Sequence, residues 1–248
     1  MKWGRSVVKR LNGMFAFVIH DIKNNCLFGS RDPSGLKPLY LHKNGRVFGF
    51  SSELEPLKYI PGRTFRLNRT AFSHYLSLQY VASPEVIFDD LIKLKPGESF
   101  VYSLRDANLE FLGSPVRLSP ARSHDRFQLT YADAVEQLDH LLVESVKRWT
   151  MSDVPIGTSL SGGIDSALIL AIASRQISGS IHTWTLGVNA KNNFGDERSL
   201  ASLMATKVGS IHHEVSIDLA NVSDDIDEMV ASLGEPYAGG LPSWYIYK

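Results

Sequence analysis

The chain has 248 residues, 44% of them hydrophobic, which is enough for one large or two modest domains with buried cores. Its 26 Lys and Arg residues balance its 26 Asp and Glu residues, so no bulk charge attracts nucleic acid or an anionic membrane, and neither is expected as a partner. No apolar run approaches the ~20 residues that cross a bilayer, and the first residues do not resemble a signal peptide. The single cysteine, Cys26, excludes an intrachain disulfide and favours a cytoplasmic location.

Residues 1–113 are predicted to be mostly β-structure. The predicted elements, in chain order, are strands over 14–19 and around 27–28, a hairpin over 38–50, a short helix over 53–59, a strand over 64–67, a helix over 68–80 and a strand over 99–103. Cys26 lies in the second of these strands, so we predict a buried structural thiol there rather than a nucleophile.

Residues 114–129 contain two Ser-Pro pairs and scattered charges, which predicts a linker. Directly after it, Thr130 and Asp133 have the spacing of a capping box, which predicts a helix from there to about Met151. One face of this helix is apolar, and its members are Val135, Leu138, Leu141, Leu142, Val146 and Trp149.

From residue 154 onwards, predicted strands alternate with predicted helices. In order, they are a buried strand over 154–160, a helix over 167–176, a strand over 181–188, a polar loop over 190–195, a helix over 196–208 with Leu200, Leu203 and Met204 facing inward, a strand over 211–217 and a helix over 224–233. This alternation predicts a parallel, doubly wound sheet with its ligand at the carboxyl ends of the strands. His212, His213 and Glu214 are not expected to share a metal, because neighbouring strand residues point to opposite faces.

The central motif is Ser161-Gly162-Gly163-Ile164-Asp165-Ser166, at the turn from a strand into a helix. Such a turn offers free backbone N–H groups and the positive end of the helix dipole, which suit phosphate or pyrophosphate. The two glycines allow close approach of an anion, and the two serines add hydroxyl donors. Asp165 is compatible with a bound phosphate only with a bridging Mg²⁺ or an opposing cation, so it is the predicted magnesium ligand. The alternative is a glycine turn with a serine cap.

The same motif resembles the pyrophosphate loop of the ATP pyrophosphatase superfamily, which includes asparagine, GMP, NAD and argininosuccinate synthetases. The resemblance implies ATP and Mg²⁺ as cofactors, with ATP cleaved between its α and β phosphates to give an adenylylated substrate and pyrophosphate. It also implies that Ser159, Leu160 and Leu186 lie on the adenine side, although Ser159 stands where the family commonly has a larger apolar residue. A plain core role for Leu186 is equally well supported.

A second resemblance covers the first half of the chain. Residues 11–17 (LNGMFAF), 31–40 (RDPSGLKPLY) and 50–53 (FSSE) are similar, in order and spacing, to part of the class II glutamine amidotransferases. The two resemblances together imply an α/β protein: a partial αββα Ntn-type glutaminase sandwich over 1–113, followed by a partial doubly wound ATP pyrophosphatase domain over 130–248. The family's glutaminase uses an amino-terminal cysteine, whereas this chain starts Met1-Lys2-Trp3, so we expect none of the glutaminase catalytic residues here.

The family that combines both parts is the glutamine-hydrolysing asparagine synthetases, which amidate aspartate through an adenylylated intermediate. The resemblance implies ATP, aspartate and glutamine or ammonia as small-molecule partners, and it leaves a homodimer open. The family's S-G-E-G phosphate motif is absent, so we expect an internal piece of a longer protein, inactive alone. Two alternatives remain: a ligase similar to β-lactam synthetase that activates another carboxylate, and a degenerate nucleotide-binding or interaction module.

Overall fold

A computed structural model describes residues 3–113, 129–188, 196–218, 222–237 and 240–247. Contacts divide the chain into two compact units, Met1–Ala121 with Val230–Ala238 and Arg122–Met229 with Gly239–Lys248. The predicted linker lies outside the described residues except for Leu129, and the predicted loop over 190–195 lies entirely outside them. No helix within the described ranges has the length and apolar character needed to cross a membrane.

The first unit contains two antiparallel sheets, with strand orders β1-β2-β6-β7 and β4-β3-β5. The strands are β1 (Ala16–Asp21), β2 (Cys26–Arg31), β3 (Tyr40–Asn44), β4 (Val47–Ser51), β5 (Leu91–Lys93), β6 (Ser99–Ser103) and β7 (Asn108–Gly113). Helix α1 spans Arg69–Leu78, and short 3-10 helices span Gly4–Arg10 and Glu55–Tyr59. The predicted hairpin and the predicted strand over 99–103 are confirmed. The predicted strand over 64–67 is wrong, because only Leu67 pairs there, in a single bridge to Phe88.

The two sheets of this unit pack face to face around one apolar cluster. Leu41 of β3 and Phe100 of β6 are 1% and 0% exposed in it. The rings of Phe48 and Tyr102 stack across the interface, with centroids 4.1 Å apart. Cys26 is buried on the other face of the first sheet, beside Phe28, as its strand position predicted.

Among the residues that the structure describes, the second unit is built on three parallel strands in the order β10-β9-β8. Its elements are α2 (Tyr131–Trp149), β8 (Gly157–Ser159), α3 (Ile164–Ser174), β9 (His182–Val188), α4 (Arg198–Val208), β10 (Ile211–Ile217), the part of α5 (Val222–Leu233) before residue 230, and α6 (Gly240–Tyr247). The predicted alternation of parallel strands and helices is therefore confirmed. The described strands β8, β9 and β10 lie side by side in chain order, so both crossover connections run in the same direction across the sheet. Because such crossovers are right-handed, α3 and α4 lie on the same face of the sheet, where they share a core with α2.

Three predicted apolar faces in this unit differ from the structure. β8 is shorter than predicted and exposed, because it is an edge strand of the described sheet; Val154 before it is 68% exposed. On α4 the buried side chains are Ala201 and Ala205, which let the helix lie close to the strands, whereas Leu200 and Leu203 are 55% and 52% exposed. On α2 only Val146 of the predicted face is buried and Leu142 is partly buried, whereas Val135, Leu138, Leu141 and Trp149 are exposed.

Candidate functional site

The S-G-G motif lies at the junction between β8 and α3. The Leu160 N–H donates to the Trp184 carbonyl oxygen at 2.7 Å, which extends the β8–β9 pairing by one residue before the chain turns. Gly162 then takes a positive φ of 74°. A Cβ atom on Gly162 would lie 2.8 Å from Leu200 Cβ and 3.1 Å from the Glu197 carbonyl oxygen, so both the conformation and the close packing require glycine.

Two serine hydroxyls hold this loop in shape. The Ser161 N–H donates to Ser166 Oγ at 3.3 Å, and Ser166 Oγ donates to the Gly163 carbonyl oxygen at 3.1 Å. The Gly163 N–H points back to Ser161 Oγ at 3.4 Å. The hydroxyls that were predicted as ligand donors therefore also fix the backbone that would receive the ligand.

The first turn of α3 is open to solvent. Ile164 is 86% exposed, and Asp165 is also exposed. The N–H groups of Ile164, Asp165 and Ser166 have no acceptor within the helix, because the first turn of any helix lacks one, and they carry the positive end of the dipole. Gly163, the N-cap residue, provides no side-chain cap. The helix terminus therefore presents unsatisfied donors to any anion that reaches it.

Asp165 is the one residue of the motif that could hold a metal. Its carboxylate has no hydrogen-bond partner among the residues that the structure describes. Within those same residues, no group of three or more His, Cys, Asp or Glu side chains is arranged to bind a metal ion. Mg²⁺ commonly takes one or two protein carboxylates and completes its coordination with substrate phosphates and water. A single free carboxylate beside the predicted anion site would fit a Mg²⁺ ion that arrives with phosphate.

The three residues predicted on the adenine side lie in two different environments. Leu160 is 1% exposed and belongs to the core that α2, α3 and α4 share, so only its backbone could meet a ligand. Ser159 is exposed and pairs with Trp184. Leu186 is half-buried, two residues beyond Trp184 on β9, and so shares its face of the sheet. Ser159 and Leu186 thus lie on the face opposite to the Leu160 side chain.

A cleft of about 410 Å³ opens on that face, between the β8–β9 strands and α6. Its lining residues are Gly157, Thr158, Ser159, Trp184, Ile246 and Tyr247. Trp184 lies across Gly157 so closely that a Cβ there would be 2.1 Å from the ring. Tyr247 closes the other side, with its hydroxyl 3.3 Å from Ser159 Oγ. Sequence reasoning did not single out Trp184; its only signal was an aromatic residue two positions before Leu186.

A second polar group lies at the carboxyl ends of β9 and β10. Asp196 and Arg198 form an ion pair, with Nη2 of Arg198 2.5 Å from Oδ2 of Asp196. Hydrogen bonds from Arg198 hold the pKa of the Asp196 carboxyl below its ordinary value. Nη1 of Arg198 also donates to Ser216 Oγ at 3.2 Å. Arg198 therefore balances the charge of Asp196 at the start of α4. Sequence reasoning did not single out Arg198, and its contact with Ser216, 18 residues away, is not encoded in any local pattern.

The adjacent histidines of β10 point to opposite faces, as predicted. His213 Nε2 lies 2.9 Å from His182 Nδ1 on one face, and their rings are nearly parallel. On the other face His212 Nδ1 lies 2.9 Å from Thr183 Oγ1. These contacts give both imidazoles partners within the sheet, which supports a structural role.

In the first unit, the side chains of Arg31 and Asp32, which begin the R-D-P-S-G-L-K segment, form hydrogen bonds to the backbone of the loop that follows β2. Asp32 is 1% exposed and accepts N–H donors from Ser34, Leu36 and Lys37. Burial raises the pKa of Asp32, but these backbone donors outweigh it and hold the pKa below its ordinary value. Arg31, 6% exposed, donates to carbonyl oxygens, among them that of Leu94 at 2.5 Å. Both side chains therefore shape the loop that follows β2.

The same unit contains Glu235, whose side chain is 13% exposed. Its Oε2 accepts from Lys93 Nζ at 2.7 Å and from the Tyr40 hydroxyl at 3.0 Å. Burial, together with the charge of Glu235, raises the pKa of Tyr40 above its ordinary value. The Glu235 carboxylate is thus held by hydrogen bonds from Tyr40 on β3 and Lys93 on β5.

Two family models match the chain in order. Residues 1–110 match the family described as "Glutamine amidotransferase domain", and residues 137–248 match the family described as "Asparagine synthase".

Asparagine synthetase [glutamine-hydrolyzing] 3 of Bacillus subtilis is 28% identical over 93% of this chain and 38% of its own length. Putative asparagine synthetase [glutamine-hydrolyzing] 2 of Methanocaldococcus jannaschii is 29% identical over 99% of this chain and 47% of its own length. The putative asparagine synthetase of Mycobacterium tuberculosis H37Rv is 31% identical over 95% of this chain and 36% of its own length. The chain thus spans under half the length of these relatives.

Proposed function

We propose that the chain is part of a glutamine-hydrolysing asparagine synthetase, and that residues 161–166 hold the pyrophosphate part of ATP during ATP-dependent amidation of aspartate. The two family models, matched in order, and the similarity to asparagine synthetases over most of the chain support this proposal. The reaction would cleave ATP between its α and β phosphates, transfer AMP to the aspartate side-chain carboxylate, and release pyrophosphate. Ammonia, derived from glutamine, would then displace AMP.

One observation carries this proposal: the open first turn of α3, held in shape by Ser161 and Ser166. The N–H groups there are fixed before a ligand arrives, so binding an anion requires little reorganisation. Donors that are prearranged in this way stabilise the charge that develops on a leaving pyrophosphate. Gly162 and Gly163 add no side chain that would keep phosphate oxygens from the backbone.

We assign Asp165 as the residue that holds Mg²⁺, because its carboxylate is free and lies in the same turn. The ion, when bound, would neutralise phosphate charge and polarise the bond being broken. On the adenine side we assign Ser159 and Leu186 by their side chains and Leu160 by its backbone alone. We propose a cytoplasmic location for this activity, supported by the single cysteine of the chain.

The finer description of the architecture is also a proposal. We assign residues 1–113 to the carboxy-terminal part of an αββα glutaminase sandwich, 114–129 to a linker, and 130–248 to the first part of a doubly wound ATP pyrophosphatase domain. The two face-to-face sheets of the first unit and the parallel strands of the second support this division.

ATP/pyrophosphate exchange in the full-length protein tests the function. Exchange should depend on aspartate and stop in Asp165→Ala, whereas Leu186→Ala should raise KM for ATP more than it lowers kcat. The reason is that an apolar contact, of order 1 to 3 kcal/mol when buried, is shared by ground and transition states. Exchange that requires a different carboxylate would indicate the ligase alternative. Near-normal exchange in Asp165→Ala would contradict the assignment of the loop.

A further inference from the structure

We propose that Arg198 is a positioning residue for the phosphate loop: it fixes the start of α4, the surface on which Gly162 rests. This inference depends on the proposed function of residues 161–166 and adds to it a residue outside the motif. Arg198 is not assigned a contact with the ligand. Its effect reaches the ligand through the backbone of the loop.

The guanidinium group of Arg198 joins the start of α4 to β10 at the carboxyl edge of the sheet. Nε donates to both carboxylate oxygens of Asp196, at 2.9 and 3.0 Å, and Nη2 donates to Oδ2. The backbone N–H of Arg198 also donates to Oδ1 of Asp196, at 3.1 Å. Nη1 reaches Ser216 Oγ on β10. The two charged side chains are only 21% and 17% exposed, so this geometry is better defined than that of a surface ion pair.

Gly187 on β9 makes room for this arrangement. A Cβ atom at Gly187 would lie 2.2 Å from Nε and 2.4 Å from Cδ of Arg198, distances that real atoms cannot adopt. The guanidinium group therefore lies directly against the backbone of β9. Any side chain at position 187 would displace it, even though that residue has no polar group of its own.

The first turn of α4 in turn forms the support for Gly162. The Glu197 carbonyl oxygen accepts from the Ala201 N–H at 3.0 Å, which fixes its direction. That oxygen and Leu200 Cβ are the atoms nearest to the Cβ position of Gly162, at 3.1 and 2.8 Å. Asp196 and Arg198 flank Glu197 in sequence. Breaking the ion pair between Asp196 and Arg198 would therefore remove a constraint on the first turn of α4, which contacts the loop at Gly162.

This arrangement predicts a selective effect on phosphate binding. Gly187 alternates with Leu186 along β9, so Arg198 lies on the α4 face, away from the face that carries Ser159 and Leu186. Loss of Arg198 should disturb the N–H groups of the loop without touching the adenine side. If Arg198 had a purely structural role, its loss would instead weaken the binding of pyrophosphate and of adenosine equally, in proportion to the loss of folded protein.

Calorimetric titration of the 1–248 chain with Mg-pyrophosphate and, separately, with adenosine tests the inference. Arg198→Met should weaken pyrophosphate binding at least about tenfold, since small displacements of binding groups have effects of this size, while adenosine binding stays within about twofold. Gly187→Ala and Asp196→Asn should give the same pattern, because each disrupts the ion pair by another route. Arg175→Met, an exposed arginine after the far end of α3, is the matched control for loss of one charge and should bind like wild type.

The outcomes separate the two proposals. A wild-type chain that binds adenosine but no pyrophosphate would contradict the proposed function of the loop. If the wild type binds pyrophosphate and folded Arg198→Met binds it equally well, or loses adenosine to the same extent, the positioning role of Arg198 is wrong. Circular dichroism identifies which variants are folded; should Arg198→Met not fold, Asp196→Asn, which keeps the arginine and its packing, decides by the same criteria.

Discussion

The hydroxyl oxygens of Ser161 and Ser166 lie 3.1 Å apart, across the turn that leads from β8 into α3. Ser166 also donates to the carbonyl oxygen of the N-cap residue Gly163. One small side chain thus connects the end of a strand to the start of a helix. The loop has its shape before any ligand binds, which is the property that a preformed anion site needs.

Replacing Ser166 with alanine should weaken binding of Mg-pyrophosphate about tenfold, because the loop loses the three hydrogen bonds of that hydroxyl and its donors are no longer aligned. The free energy of unfolding should fall by about 1 to 3 kcal/mol, since one hydrogen bond contributes about 1 kcal/mol net. Ser174→Ala is the matched control: Ser174 makes the same contact, to the carbonyl oxygen of Ala171 at 3.0 Å, at the other end of α3. Titration and urea unfolding of both variants check this, and equal affinities in the two would contradict it.

Replacing Gly157 with alanine should destabilise the chain by about 1 to 3 kcal/mol, because the new methyl group overlaps the Trp184 ring. Since the strain depends on that ring, it should be relieved in a double variant with Trp184→Leu. A double-mutant cycle measured by urea unfolding gives the coupling energy. Additive effects of the two substitutions would show that the ring does not lie on Gly157.

Features set by neighbouring residues were predictable from the sequence. The capping box of Thr130 and Asp133 is present, with the Asp133 N–H donating to Thr130 Oγ1 at 3.2 Å and the Thr130 N–H donating to Asp133 Oδ2 at 3.3 Å. It needs only the chain from 130 to 133, so no tertiary contact can override it easily. The strand-to-helix turn at 161–163 was predictable for the same reason.

Features that depend on contacts between distant residues could not be predicted from the sequence. Hydrophobicity alone placed Leu200 and Leu203 inward on α4, but a close helix-to-sheet contact selects the small side chains of Ala201 and Ala205. The contact of Arg198 with Ser216 depends on where β10 lies, which no local pattern encodes. The exposure of β8 likewise follows from its position at the edge of the sheet.

Replacing Arg63 with methionine should lower the free energy of unfolding by about 1.5 to 3 kcal/mol, the range for a hydrogen bond to a charged group. The Arg63 side chain is 1% exposed and binds Asp90 through Nε at 2.5 Å and Nη2 at 2.9 Å. Arg66→Met is the control, because Arg66 is 76% exposed and lies 3.7 Å from Asp89. Thermal or urea unfolding at pH 7 should separate the two variants; equal losses would contradict the prediction.

The Arg63 variant should also change how stability depends on pH. Burial raises the pKa of Asp90, but Arg63 outweighs burial and holds the pKa below its ordinary value. A carboxyl with a lowered pKa in the folded state stabilises the fold above its unfolded pKa, about 4, and this contribution is lost as the pH falls through the folded pKa. The difference in stability between wild type and Arg63→Met should therefore be full at pH 7 and shrink below about pH 4. A difference that stays constant down to pH 2 would exclude the ion pair as its source.

The most direct test of the anion site is titration of the 1–248 chain with pyrophosphate, with and without Mg²⁺, for wild type and Asp165→Asn. The wild type should bind one pyrophosphate more tightly with Mg²⁺ than without it, because Asp165 and phosphate oxygens share the ion. Asp165→Asn should remove most of the Mg²⁺ effect, and without Mg²⁺ it should bind at least as well as wild type, since a negative charge beside the anion is gone. Absence of saturable binding in the wild type, or an Mg²⁺ effect of the same size in both proteins, would contradict the assignment of residues 161–166 as the phosphate site.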